Sequence, residues 1–172
     1  MNSYVHCLTK KLTYMATLAQ LELLGSLIKH EANLESWEMP ERFIYHAPSL
    51  KLWLSSTLRL LPKDRSRDLS SYEQVEQALY DTVMKRPMRY GQDDRKLDPL
   101  IHHVWELKTE DVRLIGWFPC RATFIIVRGE MRKNLKPFSR YKPLIQDVVT
   151  FRNGLDVDEP KMLTGATHND VL

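Results

Sequence analysis

Residues 97–136 read LDPLIHHVWELKTEDVRLIGWFPCRATFIIVRGEMRKNLK, and this stretch decides the fold class. In 103–108, Trp105 and Leu107 alternate with Val104, Glu106 and Lys108, so the two sets belong on opposite faces of a strand. Thr109-Glu110 supplies a turn. In 111–118, Val112, Leu114 and Phe118 share one side, and Arg113, Ile115 and Trp117 share the other. Pro119-Cys120-Arg121 reads as the next turn, and 122–128 is almost wholly apolar, the pattern of a central strand covered on both faces. The meander ends in a cluster of basic residues.

Working outward, apolar residues recur every three or four positions from Leu8 to Ile28, which predicts a helix over 8–34 with Gly25 weakening its middle. A short strand follows at 42–46. Pro48 and Ser49 open a helix over 49–61, stopped at Pro62. Ser70 with Glu73 forms a capping box for a helix that carries Tyr72, Val75, Leu79 and Val83 and ends before Pro87. Residues 87–99 read as a loop. A last helix is expected over 141–153, with Leu144, Ile145, Val148 and Phe151 inward. The order predicts an α+β fold: a small antiparallel sheet packed with helices, plus an N-terminal helical extension. The expected division is an extension over 1–40, a domain over 41–155 and a flexible acidic tail over 156–172.

With 43% hydrophobic residues, the 172-residue chain is long enough to bury a core, which excludes global disorder. Its apolar runs fall well short of the roughly 18–20 residues that cross a bilayer. The N-terminus lacks the charged start and apolar stretch of a signal peptide, so a cytoplasmic location with no membrane partner is expected. Cys7 and Cys120 match no metal spacing, and the histidines are scattered apart from His102-His103, so neither metal nor cofactor is expected.

Lys and Arg outnumber Asp and Glu by only 25 to 22, but the charges are unevenly distributed. Residues 128–152 hold Arg128, Arg132, Lys133, Lys136, Arg140, Lys142 and Arg152 against Glu130 and Asp147. Residues 153–172 hold Lys161 against Asp156, Asp158, Glu159 and Asp170. A basic segment ahead of an acidic tail suits a surface that faces a polyanion; a solvated helix face is the plainer alternative.

From about residue 42 to 153, the order of elements resembles the RelE/ParE toxin superfamily, and the residues resemble its phage-derived HigB-like branch. The resemblance rests on an ordered series: the Leu61-Pro62 break, Lys96-Leu97, the strand Trp105-Glu106-Leu107-Lys108, Arg113 opening the next strand, and an apolar strand running into Arg132-Lys133. Two features depart from that pattern. Residues 1–40 have no counterpart in a minimal toxin, and Glu130 is an acid where the family usually shows an apolar or basic residue.

The resemblance implies a metal-independent endoribonuclease that cleaves mRNA on the ribosome and inhibits translation. A cognate antitoxin of helix-turn-helix type would neutralise it. Such cleavage requires activation of a 2′-hydroxyl, stabilisation of charge on the phosphate and protonation of the 5′-oxygen. The implied catalytic residues are Arg113 as phosphate clamp and His102, His103 and Tyr141 for proton transfer, with Tyr141 favoured as a phenolate base by Arg140 and Lys142. RNA contacts are expected from Lys96, Trp117 (stacking on a base), Arg128, Arg132, Lys133 and Lys136. Two other functions share the fold: a non-catalytic regulator that binds a host protein or RNA, possible in a mobile element, and a gyrase poison. The broad leucine stripe of the N-terminal helix predicts that it covers the sheet or forms a homodimer.

Overall fold

The structure, a computed structural model, describes residues 18–171 apart from 158 and 165. Among the described residues, the chain forms a six-stranded sheet with helices on both faces. The strands are β1 (Ile28–Lys29), β2 (Phe43–His46), β3 (Asp94–Lys96), β4 (Trp105–Lys108), β5 (Val112–Cys120) and β6 (Thr123–Met131). The helices are α1 (18–23), α2 (Pro48–Ser56), α3 (Ser71–Val83), α4 (Tyr141–Gly154) and α5 (His168–Val171).

The sheet order is β1-β2-β6-β5-β4-β3, antiparallel except where β2 runs parallel to β6. The α+β class therefore stands, but the sheet is mixed. The chain leaves β2, crosses one face as α2 and α3, enters at the far edge as β3 and meanders back. After three reversals β6 arrives beside β2 pointing the same way. Ile44, Leu50, Leu54, Val75, Leu79, Trp105, Leu107, Leu114, Phe124 and Ile126 form the core on the α2/α3 face. Leu18, Leu21, Tyr45, Ile115, Trp117, Ile125, Val127, Tyr141, Ile145 and Val148 form the core on the α1/α4 face. Covered twice, β6 has no solvent side until Arg128, which is why 123–127 needs no polar alternation.

Local chemistry explains most boundaries. Ser70 Oγ accepts from Glu73 N, and the Glu73 carboxylate accepts from Ser70 N, the reciprocal cap expected for α3. Pro48 occupies the first turn of α2, where its missing N–H costs nothing.

Four expectations change. The helix expected over 8–34 stops at 23, because Gly25 adopts a left-handed φ of 71° and Ser26 N closes onto the Leu21 carbonyl; residues 8–17 lie outside the described residues. Ile28-Lys29 then pairs with Tyr45-His46 instead of continuing the helix. Within the expected loop, Asp94–Lys96 pairs with β4 as an edge strand. The β5–β6 hairpin turns at Arg121-Ala122, with Ala122 at φ 59°, and Cys120 still pairs with Thr123. Pro119, which cannot donate to the ladder, lies within a register shift and not in the turn.

The C-terminal segment also differs from a loose tail. Trp117 Nε1 donates to the Lys161 carbonyl at 2.9 Å, Leu163 N to the Phe118 carbonyl at 2.9 Å and Ala122 N to the Val171 carbonyl at 3.1 Å. The Val171 side chain is wholly buried. Its charged neighbours hid this apolar anchor.

Candidate nucleic-acid interface

On the α4 face of the sheet, strand alternation aligns Arg95 of β3 with Glu106 of β4, and Lys108 with Arg113 of β5. Glu106 has no solvent exposure. Its Oε1 lies 2.5 Å from Arg95 Nε and 3.8 Å from Lys108 Nζ, and its Oε2 lies 3.9 Å from Arg113 Nε. Three cations around one carboxylate leave two positive charges in excess. Arg113 Nη1 also donates to the Thr109 and Val112 carbonyls, which locks the guanidinium orientation. Burial lowers the pKa of Arg113 and of Lys108, while the Glu106 charge opposes that shift.

Tyr141, the first residue of α4, brings its phenol to this cluster and is 6% exposed. The Arg95 guanidinium lies 5.8 Å from the Tyr141 ring and 5.7 Å from the Phe138 ring. Burial, then the Glu106 charge, pushes the Tyr141 pKa up to about 12, outweighing Arg113 and Arg95. Tyr141 is therefore a protonated phenol at neutral pH and not the phenolate expected from Arg140 and Lys142.

Next to the cluster, the short helical turn Arg132–Leu135 carries Arg132 and Lys133, and Lys136 follows it. All three are exposed, and among the described residues none makes an ion pair. With Arg67, Glu110 and Asp111 they line a cleft of about 360 Å³. The Arg67 charge is committed to Glu110 and Asp111. Glu130 has a structural task. Its Oε1 accepts from Met131 N at 2.8 Å and Asn134 Nδ2 at 2.7 Å, bracing the turn that presents the basic residues.

Arg113, Tyr141, Arg132, Lys133 and Lys136 thus gather on one side. The other expected site residues do not. His102 and His103 lie at the opposite end of α4, where Arg152 Nη1 donates to the His102 carbonyl at 2.8 Å. Eleven residues separate Tyr141 from Arg152, about 16 Å along the helix. Neither histidine can exchange a proton at the Arg113 cluster. Lys96 alternates with Arg95 onto the other face, its Nζ 3.0 Å from His103 Nδ1. Trp117 is 1% exposed and packed edge-on against Phe151, so it stacks in the core and not on a base. Arg128 is paired with Asp147 at 2.8 Å, tying β6 to α4.

Sequence reasoning missed Arg95, Lys108 and Glu106. The alternation of Glu106 with Lys108 was a usable signal, since it puts both on the Arg113 face. Arg95 carried none, because Asp94-Arg95-Lys96 has no strand character. Among the described residues, no group of three or more His, Cys, Asp or Glu could hold a metal ion. Nor is any helix among them long and apolar enough to cross a membrane. Compared with protein-family models, curated proteins and solved structures, the chain gives no match.

Proposed function

We propose that this chain is a RelE/HigB-like protein that acts on RNA, cleaving translated mRNA at the surface between the Arg132–Lys136 turn and the Arg113–Tyr141 cluster. The observation that supports it is the convergence of Arg95, Lys108, Arg113 and the Tyr141 hydroxyl on one spot, beside exposed cations that make no ion pair among the described residues. In this reading Arg132, Lys133 and Lys136 grip the phosphate backbone, and Arg113 stabilises charge on the scissile phosphate. Tyr141, protonated at neutral pH, suits the donation of a proton to the departing 5′-oxygen, while the 2′-hydroxyl gives up its proton to solvent as it attacks the phosphorus. Glu106 holds the guanidinium array in place. The ribosome and a helix-turn-helix antitoxin are the partners that this reading implies.

A second reading, RNA binding without cleavage, has its own support. Glu106 occupies the inner cations, Arg113 and Tyr141 are largely covered, and the histidines lie at the far end of α4.

The two separate in a translation extract. Under the cleavage reading, the wild type stops synthesis and leaves codon-phased cuts in mRNA. Tyr141→Phe slows cutting on the order of a hundredfold while RNA binding persists. Arg132→Ala with Lys133→Ala weakens binding and lowers its salt slope by about two. Tight RNA binding with intact mRNA favours the second reading. Absence of RNA binding removes both, and arrest with DNA damage points to gyrase.

A further inference from the structure

We propose that the cleft of about 490 Å³ at the β3 edge, between Tyr90, Lys96 and the start of α5, binds a nucleobase that carries a phosphate. It lies on the α2/α3 side of the sheet, since Lys96 pairs with Trp105 and cross-strand partners share a face. The Arg113 cluster occupies the opposite face. The inference therefore goes beyond the RNA-directed reading and uses none of its residues.

Aromatic and apolar groups shape the cleft. Trp105, 2% exposed, closes it toward the core, and half-exposed Leu100 lines it. Tyr90 is 57% exposed, although its ring meets Trp105 at 6.4 Å and His168 at 5.7 Å. Both contacts are edge-on, so the ring is held while, among the described residues, no other ring stacks on it. A held, solvent-open aromatic ring beside an apolar floor suits a planar ligand, because every base has a π-face to stack. The volume falls within the range of small-ligand sites, about 300–1,000 Å³.

The polar lining narrows the choice. His168 is spent, its Nδ1 at 3.0 Å from Asp94 and its Nε2 at 3.1 Å from the Met88 carbonyl. Thr167 Oγ1 donates to Asp170 at 2.7 Å. Asn169 is exposed, and among the described residues its amide makes no hydrogen bond. An amide offers a donor and an acceptor side by side, the combination that a base edge presents. Lys96 donates to His103 Nδ1 at 3.0 Å and makes no ion pair among the described residues, which leaves two N–H donors for a phosphate. Among the described residues, no carboxylate lines the cleft to repel that charge.

The test is an NMR titration of the full chain with uridine monophosphate, uridine and inorganic phosphate, following the Trp105 indole and Asn169 amide signals. The nucleotide is expected to shift both signals, uridine to bind on the order of tenfold more weakly, and phosphate alone to leave them in place. Tyr90→Leu should weaken nucleotide and nucleoside alike, on the order of tenfold. Lys96→Gln should bring the nucleotide down to the level of the nucleoside and leave the nucleoside unchanged. Where Tyr90→Leu fails to fold, that Lys96→Gln contrast decides. Arg132→Ala with Lys133→Ala should change neither ligand. Absence of shifts with the nucleotide, equal shifts with phosphate alone, or unchanged binding in Lys96→Gln overturns the site. Loss of the nucleotide in the Arg132/Lys133 variant also overturns it. The source of the ligand follows from competition. An oligouridylate that displaces the nucleotide supports a base of an RNA strand, and one that does not supports a free nucleotide.

Discussion

Glu106 illustrates how one side chain acquires meaning only from its neighbours. Alone in a strand it is an ordinary acid; with no exposure and three cations around it, it is the hub of the charged face. Its removal leaves those cations partly buried and uncompensated. Glu106→Ala is therefore expected to lower stability by about 3–5 kcal/mol, read from urea unfolding, whereas an unchanged midpoint would show that water already screens the cluster. His46 is a second case. It is 5% exposed with Nε2 unpartnered among the described residues, its ring 5.1 Å from that of His30, and burial followed by His30 and Lys51 lowers its pKa to about 3. The unfolded chain, titrating near 6.5, binds the proton more readily. The His46 contribution to stability is thus level above that pH and falls as acid is added between 6.5 and 3, at about 1.4 kcal/mol per unit. Unfolding midpoints at pH 7 and pH 5 should differ clearly in the wild type and less in His46→Gln. Parallel shifts in both would assign the acid sensitivity elsewhere.

At the level of elements, β5 and β6 were legible because their side chains alternate or run apolar with a strand's period, and α3 because its cap is written in Ser70 and Glu73. The register between β5 and β6 was not legible. It shifts between Ile115 and Gly116, where the backbones approach so closely that a β-carbon on Gly116 would collide with the Ile125 carbonyl. Because the obstacle is backbone and not a flexible side chain, Gly116→Ala should cost at least about 3 kcal/mol or abolish folding. A soluble variant with a wild-type melting curve would mean the strands can separate at the shift without penalty. β3 went unread for the opposite reason. Its charged residues suit an exposed edge, where polar side chains discourage further pairing, and local sequence offers no sign of it.

Across the whole molecule, the C-terminal segment joins parts that lie far apart in sequence. His168 Nδ1 is 3.0 Å from Asp94 Oδ2, and Nε2 is 3.1 Å from the Met88 carbonyl, so α5 fastens the β3 edge while Val171 fills the α2/α3 core. His168→Ala is expected to raise amide exchange across 166–171 by tenfold or more without altering β5 and β6; uniform exchange rates in the variant would show that Val171 alone secures the segment. These long-range ties mark the division between the two kinds of information. Periodicity, caps and proline positions are local properties, and by themselves they determined the α+β class, the meander, the helices α2 to α4 and the basic bias of 128–152. Which charges meet is a property of pairing between distant strands and of the helix laid across them. That is why only the tertiary structure brought Glu106 among Arg95, Lys108 and Arg113, sent His102 and His103 to the far end of α4, and put Trp117 in the core.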